Sequence, residues 1–199
     1  DGSELVTGLN ARNQSLIWTD NALHAMEFVG PPFIFNFRQL GSNCGIAGQH
    51  AAVELDGRTF WMGAKDFFVY DGAVKALPCT VRRYVYDDFN FDQKEKVYAG
   101  TNQEFREVTW LYPSKDSNEV DRYVSYNPVE NYWTFGTTIF TTWEDKEVFQ
   151  NIITTGQEAD GDNYLYTNEP EGIYTADGQR QEAFLESSEF DTTPPSYGP

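Results

Sequence analysis

Apolar and polar positions alternate with a period of two along most of the chain. Residues 121–136, DRYVSYNPVENYWTFG, give two such runs around an Asn-Pro break, the pattern of an antiparallel hairpin. An isolated hairpin is marginal in water, so this one needs further strands to bury its apolar face. The chain offers several. SLIWTD (15–20) and ALHAMEFVG (22–30) flank the turn pair Asp20-Asn21, and GPPFIFNFRQLG (30–41) turns on two prolines into an aromatic alternation. In that alternation Phe33, Phe35 and Phe37 fall on one side, with Ile34, Asn36 and Arg38 on the other. HAAVELDGRTFWMG (50–63) is a hairpin with Asp56-Gly57 at its tip, and KDFFVYDGAVKAL (65–77) repeats the device with Asp71-Gly72. FREVTWLYPS (105–114), NIITTG (151–156), DNYLYTNEPEGIYTADG (162–178) and EAFLESSEF (182–190) continue the strand pattern.

One segment breaks the rhythm. TVRRYVYDDFNFDQKEKVYAG (80–100) lacks strand alternation, and Asn90 followed by Gln93 reads as a capping box that opens a short helix through Val97. Asp92 in its first turn and Lys94 and Lys96 later suit the helix dipole. A helical insertion near residues 80–97 therefore separates two groups of strands. The final DTTPPSYGP (191–199) is rich in Pro, Gly and Ser and predicts a flexible tail.

The strand units share one grammar. An aromatic or apolar strand runs to a turn, and a second strand follows with an apolar–x–aromatic pair, as in SLIWTDNALHAMEF, TFWMGAKDFFVYDG and DNYLYTNEPEGIYTADG. The units recur at roughly 40–50 residues, the blade period of propellers such as WD40 and kelch. The expectation is an all-β fold: a β-propeller or partial propeller of about four blades over residues 1–190. A β-sandwich is the competing architecture, because it too uses short strands and Asp-Gly turns. Four blades make either a small propeller or a piece of a longer chain.

Composition narrows the function classes. Of 199 residues, 15 are Phe, 12 Tyr and 5 Trp, a bias that favours cross-strand ring packing. The formal net charge of −17 excludes a free nucleic-acid reader, which needs a basic face to displace counterions. No run of about 18 apolar residues predicts a membrane span. Two cysteines, Cys44 and Cys79, allow a disulfide without implying one, and with only His24 and His50 no zinc spacing exists. No Gly-x-Ser-x-Gly elbow and no phosphate-binding glycine motif occurs. Cys44 and His50 lie close in GSNCGIAGQH, where a plain glycine loop is the simpler reading. ELDGRTFW keeps only part of the sialidase turn pattern and reads as an ordinary hairpin. Asp160, Asp162 and Asn163 are the weak metal candidate, an acidic loop without the ligand pattern of an EF-hand. The expectation is no cofactor, no metal and no enzymatic activity.

Residues 80–136 resemble a recurrent segment of tail and virion structural proteins of tailed bacteriophages. The matching features are Arg82-Arg83-Tyr84 with Asp87-Asp88, the run KVYAG at 96–100, EVTWLYP at 107–113, Asp121-Arg122-Tyr123-Val124, Tyr126-Asn127, Trp133 and Gly136. Upstream, LIWTDNALHAMEFVGPP and GSNCGI are similar to the same proteins, as is AFLESSEFD downstream. The family pattern continues beyond that last motif, where this sequence turns to its Pro-rich end. The resemblance implies a propeller-bearing nozzle or hub component, assembled in rings of typically six copies around the DNA channel. It implies other tail or portal proteins as partners, passing viral DNA without sequence-specific binding, no membrane, and a place in the virion after synthesis in the bacterial host cytoplasm. It carries over no catalytic residue. Two other readings stand beside it: a carbohydrate-binding or glycan-active propeller, and a cellular protein-interaction propeller.

The candidate residues are accordingly structural. Trp110, Tyr112, Tyr123, Tyr126, Trp133 and Phe135 are expected to form one packed aromatic cluster. Arg82 and Arg83 are expected to pair locally with Asp87 and Asp88, with a subunit contact as the alternative.

Overall fold

A computed structural model describes residues 4–11, 14–146, 150–157, 161–168, 175–176 and 179–180. The chain divides into two compact units, Asp1–Glu169 and Pro170–Pro199. The second contains one described hairpin, β16 (Thr175–Ala176) paired with β17 (Gln179–Arg180). To keep strand numbers in chain order, the strands of the first unit are β1 to β15.

The first unit is a succession of antiparallel meanders, each strand paired with the next in sequence. Sheet one holds β1 (Leu5–Ala11), β2 (Gln14–Thr19), β3 (Ala22–Phe28) and β4 (Phe35–Ser42) in that order. Sheet two holds β5 (Ala52–Leu55), β6 (Arg58–Met62), β7 (Phe67–Tyr70) and β8 (Val74–Ala76). Sheet three holds β9 (Tyr98–Asn102), β10 (Glu107–Tyr112), β11 (Arg122–Asn127) and β12 (Tyr132–Thr137). Sheet four has three described strands, β13 (Phe140–Glu144), β14 (Ile153–Gln157) and β15 (Asn163–Thr167). The fold is all-β with a helical insertion between the second and third sheets, and the sheets begin at the spacing that the repeats predict.

Local chemistry explains the turns. Asp56 (φ 51°) and Gly57 (φ 74°) both adopt the left-handed conformation that a two-residue hairpin loop needs. The Thr19 hydroxyl oxygen accepts the Ala22 N–H at 2.9 Å and closes the Asp20-Asn21 turn. In the 121–136 hairpin, the Asn127 side chain accepts from the N–H groups of Val129 and Glu130, and Asn131 turns the chain back at φ 56°. The register that results sets Tyr126 opposite Trp133 and Val124 opposite Phe135.

The insertion contains two short helices. The 3-10 helix Phe91–Lys96 starts at Asn90, whose side-chain oxygen accepts the Asp92 N–H at 3.1 Å instead of the Gln93 N–H of a capping box, and it ends with Val97 as its C-cap. The α-helix α1 (Arg82–Asp88) precedes it. Its Ncap, Val81, makes no side-chain cap, and its first turn holds no acid, so no start signal marks it in the sequence. Packing holds it instead: Val85 is fully buried, and the Tyr86 hydroxyl donates to the Gly63 carbonyl at 3.1 Å. The strand expected at 182–190 and the tail at 191–199 lie outside the described residues.

The sheets meet through their first strands. β1 lies beside β5, β5 beside β9, and β9 beside β13. His50, just before β5, forms a parallel bridge with Tyr98, and the Ala99 N–H donates to the His50 carbonyl at 2.7 Å. Each junction is also fastened by an indole. Trp61 Nε1–H donates to the Cys44 carbonyl (2.9 Å), Trp110 to Ala51 (3.1 Å), Trp133 to Pro78 (3.1 Å) and Trp143 to Thr101 (2.7 Å). In every case a ring on one sheet reaches the backbone of the preceding sheet or of a linker that leads into or out of it. Trp18, Trp61 and Trp110 are completely buried. Trp18 packs edge-on against Trp61 with centroids 5.5 Å apart, and its own indole N–H has no protein acceptor.

The third junction sets a steric requirement. The Trp143 ring lies against the backbone of Gly100, so closely that a Cβ there would sit 2.1 Å from ring carbons. Glycine is needed at this position for space. Gly100→Ala is expected to lower stability by about 1–3 kcal/mol, the range for overpacking a filled site. Chemical denaturation followed by Trp fluorescence measures it, and an unchanged midpoint would show that the ring does not sit there.

Candidate functional site

The four first strands surround a cavity of about 500 Å³. Thr7 to Leu9 of β1, Ala52 to Glu54 of β5, Tyr98 to Thr101 around β9, and Trp143 to Asp145 at the end of β13 all reach it. Small residues, Gly8, Ala52, Ala99 and Gly100, line it beside the larger Leu9, Val53, Tyr98 and Trp143. Glu54, Glu144 and Asp145 give the wall a negative character, and no Lys or Arg lines it. His50 stacks on Tyr98 with centroids 5.2 Å apart. Burial pushes the Tyr98 hydroxyl pKa up, and the nearby Glu144 carboxylate adds to the shift. Asp145 is itself structural. Its Oδ2 accepts the Thr101 hydroxyl at 2.7 Å and the Gln103 N–H at 3.2 Å, so it ties the end of β13 to β9. Lys146 pairs with Glu104 at the same junction.

Of the six rings expected to pack as one cluster, three stack together, two on the same face pack on the insertion, and one lies on the other face. Trp110, Tyr126 and Trp133 stack on one face of the third sheet: Tyr126–Trp133 centroids are 4.5 Å apart and Trp110–Trp133 6.2 Å. Phe67 of the second sheet inserts among them, 4.8 Å from Trp110 and 5.0 Å from Trp133. Tyr112 is buried on the same face but meets Phe89 of the insertion. Phe135 is 44 % exposed and packs on Tyr84 of α1 at 4.2 Å. Tyr123 does not join them. It lies on the opposite face, where its ring covers Gly136. Residues 123 and 126 have opposite parity in a regular strand, so they cannot share a face.

The charged residues of the insertion pair outward instead of with one another. Arg82 forms an ion pair with Asp66 and donates Nε–H to the Lys65 carbonyl at 2.8 Å. Asp88 accepts from Arg122 of β11 at 3.3 Å, and Arg122 also pairs with Asp121 at 3.0 Å. Asp121 in turn accepts from both the backbone N–H and the hydroxyl of Ser114, each at 2.7 Å. Arg83 and Asp87, one helical turn apart, are exposed and make no ion pair among the described residues. The expected local pairing thus gives way to contacts that fasten α1 to both flanking sheets, because the helix is short and packed and its charged ends lie over strand ends.

Both cysteines are free, Cys44 buried and Cys79 half-buried. Asp162 and Asn163 sit at the start of β15, where Asn163 pairs with Gln157, and Asp160 lies outside the described residues. Among the described residues no three His, Cys, Asp or Glu side chains converge to hold a metal ion. Among the described residues no helix is long and apolar enough to cross a membrane. Strands β1, β9 and β13, which line the cavity together with β5, are the elements that sequence reasoning misses, as it misses the contact of Trp143 with Gly100.

No protein-family model matches the chain, and no curated protein is significantly similar to it.

Burial raises the Cys79 thiol pKa to about 11, with the Asp66 carboxylate opposing ionisation as well. At pH 8 its thiolate fraction is then on the order of 10²-fold below that of an ordinary thiol with a pKa near 8.5. Alkylation of Cys79 by iodoacetamide, followed by mass spectrometry of the peptide, should be slow by that factor at pH 8. It should accelerate as pH approaches 11. Reaction at the rate of a free thiol at pH 8 would contradict the buried environment. The raised value also means that the folded state holds this proton more tightly than the unfolded chain. The associated stability is present below pH 8.5 and is lost as pH rises through 11.

Proposed function

We propose that the chain is a non-enzymatic structural component of a bacteriophage tail, a propeller-like subunit of a nozzle or hub ring around the DNA channel. The observation that carries the architectural half is the meeting of four successive meanders through their first strands around one cavity. Radial meanders that bury each other's faces are the device by which propellers manage sheets too small to stand alone. The resemblance of residues 80–136 carries the tail half. That stretch comprises the whole insertion and the third sheet. Its recurring polar residues meet in space, as Asp88, Arg122 and Asp121 form one network. They serve architecture, which fits a part whose role is to hold a shape.

Electrostatics supports the same reading. A channel for DNA works best when its wall does not retain phosphates, and a chain of net charge −17 repels them. Under this reading copies of the chain are its principal partners, other tail or portal proteins its neighbours, and the virion its location. A glycan-binding propeller would use an exposed aromatic platform, and here no Trp is exposed: Trp18, Trp61 and Trp110 are buried, and Trp133 and Trp143 are half-buried. A cellular protein-interaction propeller shares the architecture and is favoured by one feature, the exposed apolar end of the β3–β4 hairpin.

Negative-stain imaging of the purified protein tests the proposal. Six-fold rings with a central opening are expected, with no turnover of glycan substrates. A monomer that hydrolyses a glycan would overturn it.

A further inference from the structure

The β3–β4 hairpin changes character along its length. At its base Ala22, Leu23 and Ala25 are fully buried in the first sheet. Beyond Glu27 no described strand or helix covers it, and Phe35 to Gln39 of β4 are exposed on both faces of the ribbon. The pairing nevertheless continues outward to Phe28 opposite Phe35, and the Val29 N–H donates to the Ile34 carbonyl at 3.0 Å. Phe28 and Phe35 meet edge to face at 5.9 Å. The result is an ordered two-stranded arm carrying Phe28, Val29, Phe33, Ile34, Phe35 and Phe37, each between 51 and 77 % exposed. A bare two-stranded ribbon is marginal in water, and an apolar one is a docking element.

We propose that this arm binds the same arm of a second copy, β4 against β4 in antiparallel pairing about a two-fold axis. Two observations select that occupant. First, among the described residues β4 is the free outer strand of its sheet, with β3 as its one neighbour. An edge strand laid antiparallel on its own copy is self-complementary, which is what a two-fold contact requires. Second, residues 28–37 contain no charged side chain, and the flanking Glu27 and Arg38 pair with each other at 3.5 Å. Two chains of net charge −17 repel over most of their surfaces, and the arm is where they approach without that cost.

Centring the pair on Asn36 brings the rings of the two arms together. Phe35 then faces Phe37 of the second copy, twice over, and the two Arg38 side chains stay apart. The inference stands on the arm and not on the tail reading. A two-fold arm contact is separate from the head-to-tail contacts that close a ring, so either can fail without the other.

Equilibrium sedimentation of the wild-type chain and of a Phe35→Asp/Phe37→Asp variant tests it. The wild type should show dimerisation. The variant should associate at least tenfold more weakly with an unchanged far-UV spectrum, because both rings are exposed and support no core. Asn36→Cys, treated with a mild oxidant, should give a disulfide-linked dimer whose bridging peptide contains position 36, whereas the wild type should not. A wild type that stays monomeric would overturn the proposal. So would a dimer that survives both Asp substitutions, or a wild-type dimer whose Asn36→Cys form does not cross-link through position 36.

Discussion

The fold depends on indole N–H groups that reach across from one sheet to the backbone before it. A small meander buries one face at best, and the sheets here have three or four short strands each. Stacking such sheets hides apolar surface but leaves backbone carbonyls at the junctions in need of donors. Trp61, Trp110, Trp133 and Trp143 supply those donors from large apolar bodies that also fill the gap between sheets. One residue type thereby satisfies polarity and volume together. Trp18 shows the contrast: its ring packs against Trp61, but its N–H finds no protein acceptor, so the first junction relies on packing from that side and on the Trp61 bond from the other.

Around this frame the charges are placed where they tie elements together. Arg82 and Asp88 bind α1 to the second and third sheets, and Asp145 and Lys146 bind the fourth sheet to the third. These contacts are partly exposed, and each adds little by itself. Their effect is to fix how the sheets are angled, on which the shape of the central cavity depends. The wall of that cavity carries Glu54, Glu144 and Asp145 and no Lys or Arg.

Much of this was legible in the sequence, and the parts that were not share a cause. The Asp56-Gly57 and Asp71-Gly72 turns, the 121–136 hairpin and the Asn90 cap follow from local chemistry that acts within a few residues. The strands LVTGLNA, YAGTN and FTTWE carry little apolar alternation. Period-two reasoning therefore passes over the strands that define the centre. Helix α1 has no cap to announce it and exists because Val85 and Tyr86 are packed. Strand parity places Tyr123 opposite Tyr126, a point that the list of aromatic residues alone hides. The contact of Trp143 with Gly100 joins residues far apart in the chain, and no local signal encodes it.

The central claim is that the sheets are joined by indole hydrogen bonds. Solvent exchange of the five indole N–H protons, resolved by heteronuclear NMR, tests it most directly. The account predicts that the Trp61, Trp110, Trp133 and Trp143 protons are protected, and that replacing one of these rings with Phe loosens the junction that it bridges. Free exchange at those four indoles, in a protein whose backbone amides remain protected, would contradict it.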